Sequence, residues 1–201
     1  MDTKALASVG GNYYTLRGLF ALPTGLIFLA AGVFNTPPIG AEPVSPSAPW
    51  FVIALAVAGV GYYAFNRYYV ATFGRVEPSR GTLVRITIYT VLCAAGVCVG
   101  ITLDMQQDWP ISLYGAAFAG ALLVYYRLLD VFRPYHLGLL GGLVVLCLLP
   151  IWGGAHDKVS LVMIPMGLVT IAVGLLDHRD LLSSMRQARR AGVDEDVNGT
   201  R

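Results

Sequence analysis

VRITIYTVLCAAGVCVGITL, residues 84–103, decides the fold. Its one charge is Arg85, next to its start. A hydrocarbon core of about 30 Å takes about 20 apolar residues as a helix, and this stretch supplies them. Its two flanks differ in kind. Upstream, Arg67 to Gly81 reads RYYVATFGRVEPSRG, basic and aromatic with a Pro-Ser break. Downstream, Asp104 to Trp109 is short and acidic.

The same alternation continues in both directions. Further apolar stretches lie near 16–34, 50–66, 110–127, 136–153 and 159–176. The first gap set holds Lys4 and Arg17, then Arg67, Arg75, Arg80 and Arg85, then Arg127 and Arg133, then Arg179, Arg186, Arg189, Arg190 and Arg201. The other three gaps hold only Lys158. Cytoplasmic loops carry the excess of Lys and Arg, so both termini are expected in the cytoplasm. Aromatic residues agree. Trp50, Trp109 and Trp152 fall at the outer ends of the stretches, and nine tyrosines fall near the inner ends. Tyr and Trp favour the headgroup level.

The expected fold is therefore all-α: a polytopic membrane protein, a six-transmembrane-helix bundle of three in-out-in hairpins. Residues 1–178 form the membrane domain, and 179–201 form a cytoplasmic amphipathic helix with a disordered tail from Gly192. The chain is 13% charged, against about 25% in soluble domains, so no separate soluble domain fits. The first stretch exceeds the 7–15 residue core of a secretory signal and is read as a retained helix. Twelve Arg against two Lys points to a GC-rich bacterial genome and so to a cell inner membrane.

Small residues predict the helix packing. Gly96-x-x-x-Gly100, Gly138-x-x-x-Gly142, Gly115 and Gly120 are the expected close-approach positions. They place spans three to five at the bundle centre, where Gly96→Ile or Gly120→Ile should loosen it. Pro23 and Pro165 lie inside apolar stretches and are expected to kink their helices.

Chemistry is sparse. Ionisable groups in mid-membrane mark function by default, and none sits at the middle of a span. Thr24, Thr87, Tyr89, Thr90, Ser112, Tyr114 and Thr170 are the polar groups inside, read mainly as hydroxyls bonding a carbonyl one turn earlier. Asp130 and Asp177 end spans four and six, and are expected in solvated ion pairs with Arg67, Arg127, Arg133, Arg179 or His178. His136 and His178 lie at span edges, so no metal or cofactor is expected. Cys93, Cys98 and Cys147 fall within spans and have no CxxC spacing, which points to buried thiols. A net charge of +2 gives no ground for a nucleic-acid partner. No nucleophile-base constellation is evident.

These readings favour a non-enzymatic integral inner-membrane subunit that acts through a partner, as sensor, regulator or scaffold. The contact residues would be Arg67, Tyr68, Tyr69, Arg75, Arg80, Asp130, Arg133, Asp177, His178, Arg186, Arg189 and Arg190. The partners are the lipid bilayer, a second protein or another copy of the chain, and anionic lipid at the tail through Arg186, Arg189 and Arg190. A small transporter or channel for an apolar or amphiphilic solute is the second reading. A lipid-modifying membrane enzyme using Asp130, Asp177 or His178 is the third.

Overall fold

The computed structural model describes residues 17–35, 48–73, 80–129, 131–152 and 158–199, the side chains of 48–51 and 188–199 excepted. Arg75, Asp130, most of the proline-rich stretch 35–49, and the side chains of Arg189 and Arg190 lie outside the described residues. A 3-10 turn, Gly18–Phe20, leads into α1 (Ala21–Asn35). Then follow α2 (Ala48–Phe73), α3 (Arg80–Gln106), α4 (Leu113–Leu128), α5 (Pro134–Leu148) and α6 (Lys158–Gly199). Each apolar stretch corresponds to one helix, and no strand occurs among the described residues.

Boundaries shift from the apolar stretches for local reasons. α5 stops at Leu148 because Pro150 holds Leu149 extended, at φ −66° and ψ 141°. α4 begins at Leu113 because Ser112 caps it: its backbone is extended and its Oγ accepts the Gly115 N–H at 3.3 Å. α2 and α6 overrun their stretches because helical hydrogen bonds do not require apolar residues. α6 continues through Gly199 and draws in residues 192–199, expected as a disordered tail. Pro23 does not interrupt a helix. It is the third residue of α1, where the N–H it lacks has no intrahelical acceptor in any case. Pro165 does lie inside α6.

The closest pairing joins the first and last helices, α1 and α6, which run antiparallel. Gly18, Gly25 and Gly32 recur every seven residues on α1 and the turn before it. Ser160, Gly167 and Gly174 do the same on α6. A Cβ on Gly25 would stand 2.8 Å from the Gly167 carbonyl oxygen, and one on Gly32 2.9 Å from that of Ser160. In return, a Cβ on Gly167 would stand 2.7 Å from the Gly25 carbonyl oxygen. Only glycine permits such backbone contact, and a seven-residue period keeps it on one face along both helices.

α4 and α5 complete the core. Gly115 sits against Cys147 and Val162, within a cluster of Tyr114, Ala119, Leu143, Cys147, Val162 and Met166. α2 meets α1 and α6 along one stripe through Ala58, Gly61, Phe65 and Tyr69. α3 meets α4 through Gly100 and Asp104, its only two buried residues. Although only residues 74–79 separate them in sequence, α2 and α3 do not pack on each other.

This corrects the expected centre. Gly100 and Gly115 are at close approaches, but Gly96, Gly120, Gly138 and Gly142 have no atom of another element within 4 Å of an added Cβ. The four-residue spacing identifies a small face without saying which way it points. Around the fold, α6 is the hub, packing on α1, α3, α4 and α5 and meeting α2 through Tyr69.

Among the described residues, three segments are long and apolar enough to cross a membrane: Gly18–Asn35, Arg80–Gln106 and Lys158–Gln187. α4 and α5, at 16 and 15 residues, rise about 24 and 22 Å at 1.5 Å per residue.

Gly25→Leu and Gly167→Leu should each cost about 1–3 kcal/mol through overpacking, and Gly96→Ile should leave stability nearly unchanged. Thermal unfolding in detergent, followed by circular dichroism, checks both. A Gly96 variant that unfolds earlier than the Gly25 variant would refute the assignment of the seam.

Candidate functional site

Every arginine whose side chain is described lies at one end of the helices, and Trp109 and Trp152 lie at the other. Each end holds a buried polar cluster.

At the arginine end, Pro134 opens α5 and holds Arg133 extended before it. That places His136 third in the helix, where its Nδ1 accepts the Arg133 N–H at 3.0 Å. The acceptor role fixes the tautomer. Nδ1 carries no proton, so Nε2–H donates, to Asp177 Oδ1 at 2.9 Å. Tyr135 donates its hydroxyl to the same oxygen at 2.7 Å. Tyr126, from the end of α4, donates to Oδ2 at 2.8 Å, and its ring stacks on the imidazole at 3.8 Å between centroids. His136 and Asp177 are 0% and 1% exposed. One turn on, Asp180 faces Arg133 Nε at 3.5 Å and also receives the Tyr135 hydroxyl at 3.3 Å. Three donors from α4 and α5 thus converge on one carboxylate of α6.

Beside it, fully buried Tyr69 joins α2 to α6. Its hydroxyl accepts the Leu19 N–H at 3.1 Å and lies 3.1 Å from His178 Nδ1. The Arg17 guanidinium stacks over Phe20 and Tyr69 at 4.4 and 4.9 Å, and donates to Asn66 Oδ1 at 2.9 Å. Leu181 and Met185 pack onto Tyr69 with Phe65 and Phe73. At the start of the α6 extension Leu181 and Met185 therefore pack against α2.

At the tryptophan end, Asp104 closes α3 and caps α4. Its oxygens accept the Ser112 hydroxyl at 2.8 Å and the N–H groups of Leu113 and Tyr114, both at 2.9 Å. Lys158 Nζ lies 3.3 Å from Asp104 Oδ1, and donates to the carbonyls of Gln107, Trp109 and Ile111 at 3.2–3.4 Å. Trp152 fixes the same end, through its N–H to the Pro110 carbonyl and its Nε1–H to that of Leu146. Lys158 and Asp177 are nineteen residues apart on α6, about 28 Å of rise, close to the hydrocarbon thickness.

Among the contact residues expected from sequence, Tyr68, Tyr69 and His178 meet directly. Arg133 and Asp177 are linked through Tyr135, His136 and Asp180. Arg67, Arg80 and Arg186 stay on the exposed surface. Asp177 is not in a solvated ion pair: its partners are two phenols and an imidazole. Tyr126, Tyr135, His136 and Asp180 were not singled out as its partners, nor Asp104 and Lys158 as a pair. A sequence signal existed for one of them, because Asp177 and Asp180 are three residues apart on one helical face. Thr87, Thr102 and Thr170 bond carbonyls four residues earlier, the ordinary role of hydroxyls in such helices. Among the described residues, no group of three His, Cys, Asp or Glu side chains is placed to hold a metal.

Comparison with known proteins returned no matching family model, no matching curated protein and no matching solved structure. What is shown is a class: a helical protein with three helices long and apolar enough to cross a membrane. In both clusters every named acceptor meets a donor, and these bonds link one helix to another.

Asp177→Leu leaves the buried His136 and Tyr126 donors unpaired, Tyr135 keeping Asp180, and should cost about 3 kcal/mol. Asp177→Asn keeps an acceptor for His136 and Tyr135 while Tyr126 turns to accept, and should cost about 1 kcal/mol. Equal unfolding midpoints for the two variants would contradict this geometry. At the other end, Lys158→Met and Asp104→Leu should be less than additive when combined, with a coupling of about 1–3 kcal/mol. Strict additivity in a double-mutant cycle would show that the pair does not interact.

Proposed function

We propose that the chain is a multi-pass inner-membrane protein, with six helices threaded through the bilayer and both termini on the arginine side, in the cytoplasm. It works as a non-enzymatic accessory subunit, a scaffold or regulator, through a partner in the membrane. One observation carries this reading. α2 and α3 each touch the other helices along a single stripe, do not pack on each other, and expose apolar side chains over most of their circumference. A helix apolar on all sides is at home in lipid or against another helix.

The two clusters support the same reading. They tie α4 and α5 to α6 at the arginine end and α3 and α4 to α6 at the tryptophan end, and turn their polar groups inward, so the open faces of α2 and α3 stand on a rigid base. A transporter or an enzyme would instead need polar groups facing a path or a substrate, and Asp177 and Asp104 are each taken up by buried donors of neighbouring helices. Asymmetric placement of arginine favours the arginine end as cytoplasmic. Lys158, the one lysine at the far end, is neutralised by Asp104.

Cys98 tests the partner. It is the exposed thiol of the three and lies on α3. A benzophenone maleimide placed on Cys98 in native membranes should give one discrete protein adduct on illumination. Complete labelling with lipid adducts alone would remove the partner reading. Reporter fusions at the C-terminus and in loop 107–111 test the topology, and should report opposite sides of the membrane.

A further inference from the structure

The arginine end carries charge that the clusters leave unused. Arg67, Arg80, Arg85, Arg127, Arg179 and Arg186 are exposed and come from four helices. Their depths agree. Arg127 follows Tyr126, which bonds Asp177. Arg179 follows His178, which meets Tyr69, and Arg67 precedes Tyr69 by two residues. Arg85 lies nineteen residues before Asp104, the same rise that separates Lys158 from Asp177. Asp104 and Lys158 are paired at the opposite end, so Arg85 and Asp177 come to one level. Arg80 and Arg186 stand one to two turns farther out. Immediately inside this level the surface turns apolar, with Ile88 and Val91 on α3, Val124 on α4 and Leu175 on α6 exposed.

We infer that these arginines form a belt that binds the phosphate headgroups of an anionic bilayer leaflet. This rests on the membrane reading above and names the lipid partner at that end. A guanidinium presents a planar fork that matches phosphate oxygens. An apolar surface bounded by a level ring of such forks matches a leaflet, with acyl chains below and charge above. The belt widens the sequence expectation, which placed anionic lipid at the α6 tail alone. Each arginine near a charged leaflet contributes about fivefold in binding, and salt screens it.

The test uses the full chain in nanodiscs of phosphatidylcholine, with and without phosphatidylglycerol. Native mass spectrometry reads retained lipid, and thermal unfolding reads stability. Wild type should retain phosphatidylglycerol preferentially, unfold later with it, and lose both gains as salt rises. Arg67→Gln, Arg85→Gln, Arg127→Gln and Arg179→Gln should each lower the preference about fivefold. The combined variant should match wild type in phosphatidylcholine and gain nothing from phosphatidylglycerol. Equal retention of both lipids by wild type, or an unchanged preference in the variants, overturns the belt. Equal stabilisation by soluble glycerol phosphate in phosphatidylcholine discs overturns it in favour of a free phosphate. A chain that enters discs of neither lipid overturns the membrane reading, and the belt with it.

Discussion

The structure depends on how a carboxylate is satisfied where water is scarce. An unpartnered polar group in an apolar medium costs several kcal/mol, so Asp104 and Asp177 must each gather donors. Each does so by recruiting other helices. Asp104, on α3, takes the first N–H groups of α4 and the ammonium of α6. Asp177, on α6, takes hydroxyls from α4 and α5 and an imidazole from α5. The rest of the arrangement follows from these obligations, because they fix where α4 and α5 begin or end relative to α6.

The glycine seam has a different role. It holds α1 on α6 by close contact of backbones. Such packing is the main attraction available in lipid, where escape from water gives no advantage. α2 then rides on α1 through Gly61 against Pro23, with Thr24 and Tyr62 hydroxyls 2.6 Å apart, and reaches α6 again at Tyr69. The fold is thus a rigid centre with two outer helices, α2 and α3, each attached along one stripe. Lateral openness is built into that hierarchy, and the proposed partner role draws on it.

Much of the fold was legible in the sequence, and the reasons are physical. Twenty apolar residues between charged flanks can satisfy their backbone only as a helix, so residues 84–103 announced α3. The segregation of arginine from tryptophan was equally plain, and the folded chain keeps the described residues of the two kinds at opposite ends. What stayed hidden was contact. Gly96 and Gly100 looked alike in sequence, yet Gly100 touches α4 and Gly96 touches nothing. The seam between α1 and α6 was written in a period of seven, at Gly18, Gly25 and Gly32, whereas the more conspicuous pairs, Gly96/Gly100 and Gly138/Gly142, have a spacing of four. Asp177 looked like a surface carboxylate because it sits at the edge of an apolar stretch. Its partners lie 41 to 51 residues away, and nothing local reveals them.

α6 is also a mechanical part. Its 42 residues span about 63 Å, gripped at Lys158 by Asp104 and nineteen residues later, at Asp177, by Tyr126, Tyr135 and His136. A helix resists stretching and compression, so an axial nudge delivered to Lys158 would arrive at Arg186 with little lost. Pro165, between the two grips, removes one rung of the ladder and is where such a rod would flex sideways instead of sliding.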